Sequence, residues 1–146
     1  MFEQSKAVVR KFYALLEKGD MSGISQLLSD KFAWYFAGVP APFDKQSTVG
    51  FLQAFRVAFP DLQHSLDPQI AEGDHVITPL TFRATHPGEL QVIPTSGKRV
   101  EIRALNINRI LGGKIAQVET VVDMMGLMQQ MPAARPVEKI AVRDLL

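Results

Sequence analysis

The chain has 146 residues, of which 47% are hydrophobic and 21% charged, and its formal net charge is +1. These values are typical of one globular domain of ordinary size, and the near-neutral charge gives no bias toward nucleic acid or acidic surfaces. The absence of cysteine excludes disulfides, thiolate metal sites and cysteine nucleophiles.

The N-terminal segment carries charged residues, Glu3, Lys6 and Arg10, where a signal peptide would need an apolar core. No apolar run approaches the roughly 18 residues of a membrane span. We therefore expect a soluble, cytoplasmic protein that partners neither a membrane nor nucleic acid. Its domain is expected over residues 1–131, followed by a tail over 132–146 that contains two prolines.

Apolar residues at helical spacing predict an amphipathic helix from Phe2 to Lys18, which the following Gly-Asp pair ends. A short second helix is predicted around Ile24 to Leu28. A third begins after Asp44, which is a favourable N-cap, and ends before Pro60.

The remaining apolar pattern is that of strands. An aromatic run from Phe32 to Phe36 predicts a first strand in which Phe32, Trp34 and Phe36 share one face. Four extended runs separated by turn residues follow the third helix: Gln63–Ala71, His75–His86, Arg99–Ile110 and Lys114–Val122. We predict an α+β fold, a cone-shaped curved antiparallel or mixed sheet with about three helices on its concave side, enclosing a pocket.

Asp123 lies where the last strand changes to a Met/Leu-rich helical segment. An Asp in this position is a favoured N-cap, and its charge suits a helix N-terminus. The same position also allows a carboxylate to face a pocket, so the residue is a candidate base as well as a candidate cap.

Five polar residues on the predicted strands are also considered. His86 ends a largely apolar strand face, so its imidazole is either a hydrogen-bonded rim residue or a group for proton transfer. Glu119 shares the parity of Asp123, on a face that is either solvated or turned to the pocket. Asn106 and Asn108 fall on the apolar face of their strand, whereas Arg109 has the surface parity.

Metal and nucleotide sites are not expected. The sequence contains no glycine-rich phosphate loop and no nucleophile elbow, and its three histidines are not at ligand spacing. We expect neither a metal nor a cofactor.

Several segments resemble one known family in order and at similar spacing, over roughly Phe2 to Met131. This family is the SnoaL-like polyketide cyclases, or ester cyclase-like proteins, of the nuclear transport factor 2-like superfamily. The segments that carry the resemblance are Phe59-Pro60-Asp61, Ala71-Glu72-Gly73-Asp74, Ala84-Thr85-His86-Pro87-Gly88, Ile93-Pro94-Thr95-Ser96-Gly97-Lys98, Gly113-Lys114-Ile115 and Asp123-Met124-Met125-Gly126-Leu127-Met128-Gln129-Gln130.

The resemblance implies a cone-shaped fold that assembles as a homodimer or higher oligomer. It also implies an intramolecular aldol ring closure of a polyketide ester without metal or cofactor, with Asp123 as acid/base residue and Thr85-His86 lining the pocket. In such a site Asn106, Trp34 or His86 would bind an enolate oxygen. An aromatic cluster of Phe36, Phe55 and Phe59 would shape the cavity, and Glu119 would line it.

The chain departs from the family where many members have Glu-His-Trp, because these positions read Gln117, Val118 and Glu119. This departure keeps two alternatives open beside a cyclase or isomerase acting on an apolar carbonyl compound. One is a non-catalytic protein that binds a small apolar molecule. The other is an epoxide-hydrolase-like enzyme that would use Asp123, Arg109 and Glu119.

Overall fold

The computed structural model describes residues 2–85 and 99–130. Within these ranges the chain forms four helices and seven strands. The helices are α1 (Phe2–Lys18), α2 (Met21–Leu27), α3 (Lys45–Ala58) and α4 (Met124–Gln129). The strands are β1 (Leu28–Phe36), β2 (Phe43–Asp44), β3 (Gln63–Leu66), β4 (Ile70–Glu72), β5 (His75–Thr85), β6 (Arg99–Leu111) and β7 (Lys114–Val122).

Three of the four helices begin with the same kind of cap. The carboxylates of Asp20, Asp44 and Asp123 each accept a hydrogen bond from the backbone N–H three residues later. These bonds satisfy amide groups that the helix itself leaves unpaired, and the negative charge suits the helix N-terminus. The predicted helix bounds at Phe2, Lys18 and Asp44 are confirmed.

The strands form one curved, unclosed mixed sheet in the order β2-β1-β7-β6-β5-β3, with β4 also paired to β5. All pairs are antiparallel except β1 with β7, which run parallel. The β6–β7 hairpin turns at Gly112 and Gly113, both with positive φ, as a tight two-residue turn requires. The expected α+β fold with a curved mixed sheet is confirmed.

The predicted single run from Gln63 to Ala71 is wrong in one respect, because it is two short strands, β3 and β4. They pair with successive parts of β5, and Pro68 lies between them. Proline has no N–H to donate to the ladder, so the strand is interrupted there.

The core lies between the helices and one face of the sheet, here called the inner face. On β5 and β6 this face is formed by the even-numbered residues, such as Val76, Leu80, Asn106 and Asn108, all of which are buried. The helices contribute Val9, Phe12, Leu16, Ile24 and Leu52 to the same core. The alternation of buried and exposed residues along β5 and β7 follows from the period of two in an extended strand.

Helix α4 is tied to β6 beyond the end of β7. The N–H of Asp123 donates to the carbonyl of Arg103 at 2.8 Å, which adds one rung to the ladder. At the next rung the carboxamide of Gln130 accepts from the N–H of Glu101 and donates to its carbonyl. The side chain of Gln130 therefore occupies the position of a neighbouring strand. Within the described ranges, no helix combines the length and apolar composition needed to cross a bilayer.

Candidate functional site

Aromatic side chains of two helices and three strands form a closed circuit of ring contacts on the inner face. Each ring centroid lies between 4.8 and 6.1 Å from the next one. In order of contact the circuit consists of Trp34, Phe36, Phe51, Phe55, Phe82, His64, Tyr13 and Phe12, which contacts Trp34 again. We call these eight side chains the aromatic circuit. Contacts at these distances stabilise the arrangement beyond simple area burial.

The aromatic circuit is buried on one side and open to water on the other. Trp34 and Tyr13 are buried, whereas Phe36 and Phe55 are half-buried and Phe51 is 41% exposed. Aromatic surface is therefore accessible from the side of α3. Phe59 is buried behind this side, 4.9 Å from Phe55 between centroids.

A buried row of three hydrogen-bonding side chains crosses β1, β7 and β6. The indole Nε1–H of Trp34 donates to Thr120 Oγ1 at 2.7 Å, and the Thr120 hydroxyl donates to Asn106 Oδ1 at 2.6 Å. The strand register explains the row, because Asn106 pairs with Thr120 and both lie on the inner face beside β1. Because Asn106 Oδ1 is the acceptor, its NH2 group is the donor end of the row.

Asn108 is the neighbouring inner-face residue on β6, and its Oδ1 atom is buried without a hydrogen-bond partner. Buried polar atoms normally have partners, so an unpaired carbonyl oxygen beside a polar row is a position that can accept a hydrogen bond. The prediction that Asn106 and Asn108 share the apolar face of their strand is confirmed.

Asp123 is exposed and caps α4, with its Oδ1 atom 2.9 Å from the N–H of Gly126. Its expected role as an N-cap is thus confirmed. A Cβ atom on Gly126 would collide with Asp123 Oδ2, so the glycine leaves the space that this carboxylate occupies. Asp123 follows the last residue of β7 with the parity of the exposed Glu119 and Val121, so it lies at the end of the sheet and not among the buried inner-face residues.

Two residues of the proposed hydrolase set lie on the outer face of the sheet, opposite the aromatic circuit. Glu119 is exposed there, and Arg109 is held by Asp74 at 3.0 Å. Arg109 pairs with Gln117 across the β6–β7 ladder, six residues before Asp123 on β7. The structure does not bring Asp123, Arg109 and Glu119 together.

The structure brings together most of the residues predicted to bind the substrate and separates one of them from the rest. Trp34, Phe36, Phe55, Phe59 and Asn106 meet on the inner face, whereas Glu119 does not join them. His86 lies outside the described residues, as does the tail over 132–146. Among the residues that the structure describes, no three histidine or carboxylate side chains cluster as metal ligands would.

Sequence reasoning missed a carboxylate–imidazole contact at the aromatic circuit. Glu17 Oε1 accepts a short hydrogen bond from the backbone N–H of His64 and lies 3.4 Å from its Nδ1 atom. Burial lowers the pKa of His64 to about 4, and this effect outweighs the opposing attraction of Glu17. The period-two pattern of β3 gave His64 its inward direction, but its contact with Glu17 depends on how α1 packs, which the sequence does not reveal.

A separate open groove with a volume of about 460 Å³ lies between α2, β1 and α3. Its lining includes Asp30, Asp44 and Lys45. Lys45 Nζ is bound to the carbonyl of Leu28 at 3.2 Å and lies 3.5 Å from Asp30. The Lys45 ammonium group is therefore already bound by groups of the protein itself. No residue of the aromatic circuit is among the residues that line the groove.

The fold of this chain is similar to those of several solved structures. The AclR protein of Streptomyces galilaeus, suggested to be a hydroxylase, is 26% identical over 92% of this chain and 100% of its own, with a TM-score of 0.79. IdmH of Streptomyces antibioticus, a suggested polyketide cyclase, is 24% identical over 88% of this chain and 98% of its own, with a TM-score of 0.77.

A suggested polyketide cyclase from Acidithiobacillus ferrooxidans is 20% identical over 92% of this chain and 99% of its own, with a TM-score of 0.79. These similarities establish a shared fold. No curated protein sequence matches the chain. The family model for SnoaL-like polyketide cyclases matches residues 6–131, and the chain belongs to that family.

Proposed function

We propose that this protein binds a small apolar carbonyl compound, of polyketide type, inside the aromatic circuit and catalyses a proton transfer of cyclase or isomerase class on it. The family assignment supports the reaction class. The observation that carries the proposal is the juxtaposition of accessible aromatic surface with the buried row of Trp34, Thr120 and Asn106. Ligand sites are commonly apolar and aromatic, with a few fixed polar groups that set orientation.

Asn106 is the proposed donor to the enolate oxygen. Its Oδ1 atom is fixed by the hydroxyl of Thr120, and this bond directs the NH2 group away from the row. A donor that is fixed before reaction needs no reorganisation as negative charge develops on a carbonyl oxygen. Trp34 would contribute its ring face, because its N–H already donates to Thr120.

Asp123 is the proposed general base. Its Oδ1 atom holds the first turn of α4, which leaves Oδ2 as the oxygen to receive a proton. A positioned general base contributes roughly 10²- to 10⁴-fold to a rate, and orientation of the substrate supplies the rest. The proposed base lies just beyond the end of β7, so the reacting carbon of a bound ligand would have to extend to that end of the sheet.

A non-catalytic binding protein is the second candidate, and one observation favours it. Among the described residues no carboxylate is buried, and Asp123 is exposed and engaged in capping. An exposed carboxylate lacks the desolvation that makes a stronger base. The hydrolase alternative has no comparable support, since Arg109 is bound by Asp74 on the outer face.

The test is exchange of an acidic C–H bond of a small ketone. Deuterium incorporation at the carbon between the ring and the carbonyl of 2-tetralone is followed by NMR in D2O. We expect the wild type to exceed the buffer rate and the Asp123→Asn variant to fall to it, because Asn keeps the cap but cannot take the proton. Asp20→Asn is the matched control, since Asp20 caps α2 through Gly23 in the same geometry.

Two results would decide against Asp123 as base. Exchange that survives in Asp123→Asn would assign the base to another group. Binding of 2-tetralone by the wild type without any exchange above buffer would establish the binding protein instead of the enzyme.

A further inference from the structure

Two polar side chains are buried together in the part of the aromatic circuit formed by α1 and β3. The rings of Tyr13 and His64 contact each other with centroids 4.8 Å apart. Tyr13 is 5% exposed, and the side chain of His64 is also 5% exposed. Neither belongs to the row of Trp34, Thr120 and Asn106.

One polar atom of each side chain is buried without a hydrogen-bond partner. The Tyr13 hydroxyl is buried without a hydrogen bond, and so is Nδ1 of His64. Glu17 Oε1 accepts a short hydrogen bond from the backbone N–H of His64 and lies 3.4 Å from Nδ1, a long contact that leaves room for a closer partner at this nitrogen. Buried polar groups are normally paired, and a ligand is one source of the missing partner.

The position of both groups suits a ligand that occupies the aromatic circuit. Tyr13 contacts Phe12, and Phe12 contacts Trp34, while His64 contacts Phe82, and Phe82 contacts Phe55. A flat apolar ligand enclosed by the circuit would thus meet Tyr13 and His64 on one edge. The NH2 group of Asn106 lies on β6 in the middle of the sheet, whereas Tyr13 and His64 lie on α1 and on the edge strand β3.

We propose that the Tyr13 hydroxyl and the His64 imidazole form a second oxygen-binding subsite, which binds a ketone oxygen of a flat apolar ligand. Glu17 holds His64 in place through its backbone N–H. This inference rests on the proposed function, because it requires that a ligand enter the circuit. It goes further in defining the ligand, which would be bicyclic or larger and would carry a ketone remote from the reacting carbon.

The electrostatics of the subsite agree with a neutral oxygen as partner. Burial raises the pKa of Tyr13, so its hydroxyl is a donor at every physiological pH. Burial also keeps the His64 imidazole neutral near pH 7. The one charged group that faces His64 among the described residues is Glu17, which would disfavour an anionic ligand.

The experiment measures binding of two probes that differ by one oxygen, 1-tetralone and tetralin. The readout is the indole N–H signal of Trp34, the only tryptophan in the chain and a member of the circuit. We expect the wild type to bind 1-tetralone about fivefold to tenfold more tightly than tetralin, as one hydrogen bond from a buried donor allows.

Tyr13→Phe keeps the ring and removes the hydroxyl. In this variant we expect the preference for 1-tetralone to disappear while tetralin affinity stays unchanged. Tyr35→Phe is the matched control, since Tyr35 is the second tyrosine of the chain and lies exposed on the outer face. His64→Gln should also reduce the preference, with His75→Gln, at an exposed strand end, as its control.

The outcomes separate the two proposals. A preference that survives in Tyr13→Phe would assign the ketone oxygen to another donor, such as Asn106, and would overturn the subsite while the proposed function stands. Equal binding of both probes by the wild type would also overturn the subsite and would leave only the aromatic ligand site standing. Failure of the wild type to bind either probe would overturn the proposed ligand site itself, and the subsite with it. A thermal unfolding curve for each variant identifies any loss of binding that comes from loss of folding.

Discussion

The indole of Trp34 and the hydroxyl of Thr120 are joined by a 2.7 Å hydrogen bond although 86 residues separate them in the chain. The parallel pairing of β1 with β7 makes this contact possible, and the register places Trp34 beside Val118 and Phe36 beside Thr120. One hydroxyl thereby satisfies a buried donor and, through Asn106, a buried acceptor. Loss of this hydroxyl would leave both unpaired.

Thr120→Val should lower the free energy of unfolding by about 2 to 4 kcal/mol, because an unsatisfied buried donor or acceptor costs about 1 to 3 kcal/mol. Thr120→Ser keeps the hydroxyl and should lose about 1 kcal/mol, mainly for the missing methyl group. Thr48→Val is the control, since the buried Thr48 hydroxyl has no partner to lose. Urea unfolding measures all three, and an equal loss in Thr120→Val and Thr48→Val would contradict the assigned row.

Gly126→Ala should destabilise the protein by about 1 kcal/mol, despite the higher helix propensity of Ala, because the new Cβ would displace the capping carboxylate of Asp123. Gly50→Ala is the matched control, because a Cβ there meets nothing within 4 Å and should stabilise α3 by about 0.5 to 1 kcal/mol. Thermal unfolding compares the two variants. Stabilisation of both by the same amount would show that the cap does not require the glycine.

Stability should decrease as the pH falls from about 6.5 to about 4. The folded-state pKa of His64 is about 4, below the ordinary 6.5, so the unfolded chain takes up the proton first. A group that binds its proton more strongly in the unfolded state reduces stability as the pH falls through this window, here by roughly 3 kcal/mol. Urea unfolding at several pH values measures the slope, which His64→Gln should remove.

Three aspartate carboxylates make the stability depend on pH in a separate, lower range. Hydrogen bonds from Thr85, Ser47 and Arg109 lower the pKa values of Asp61, Asp44 and Asp74 respectively below their ordinary value of 3.8. Their contributions are complete above that value and are lost below it. A slope between pH 4 and 6.5 that persists in His64→Gln would therefore assign the effect to another group and contradict the prediction.

We expect a homodimer that packs sheet on sheet through the outer face. This face carries apolar residues, among them Val121 (46% exposed) and Tyr35 (42% exposed), which a second copy would cover. Light scattering should give twice the chain mass of 16.2 kDa at micromolar concentration. Val121→Glu should yield monomers, whereas Val57→Glu, at a 75% exposed position on α3, should leave the dimer intact. A wild type with the mass of one chain would refute the prediction.

The sequence was informative wherever a local pattern determines structure. Apolar spacing located α1, the alternation on β6 placed Asn106 and Asn108 inside, and the Asp123 position identified a cap. Pro68 illustrates a missed local signal, because it divides what otherwise looks like one strand.

Contacts between distant segments were not accessible from the sequence. The contact of Glu17 with His64 requires the packing of α1 against β3, and the bond of Trp34 to Thr120 requires the parallel order of β1 and β7. Neither follows from a periodicity. The inward face of a strand is a local property, whereas the partner of a buried polar group depends on the tertiary arrangement.

The carboxamide of Gln130 has a consequence for solubility. At Glu101 it saturates the backbone N–H and C=O groups that β6 presents beyond the end of β7. An unpaired strand edge is a template on which another chain can add a strand, and such addition leads to aggregation. Because the carboxamide of Gln130 already occupies both backbone groups of Glu101, a strand from another chain could not pair with β6 at this residue.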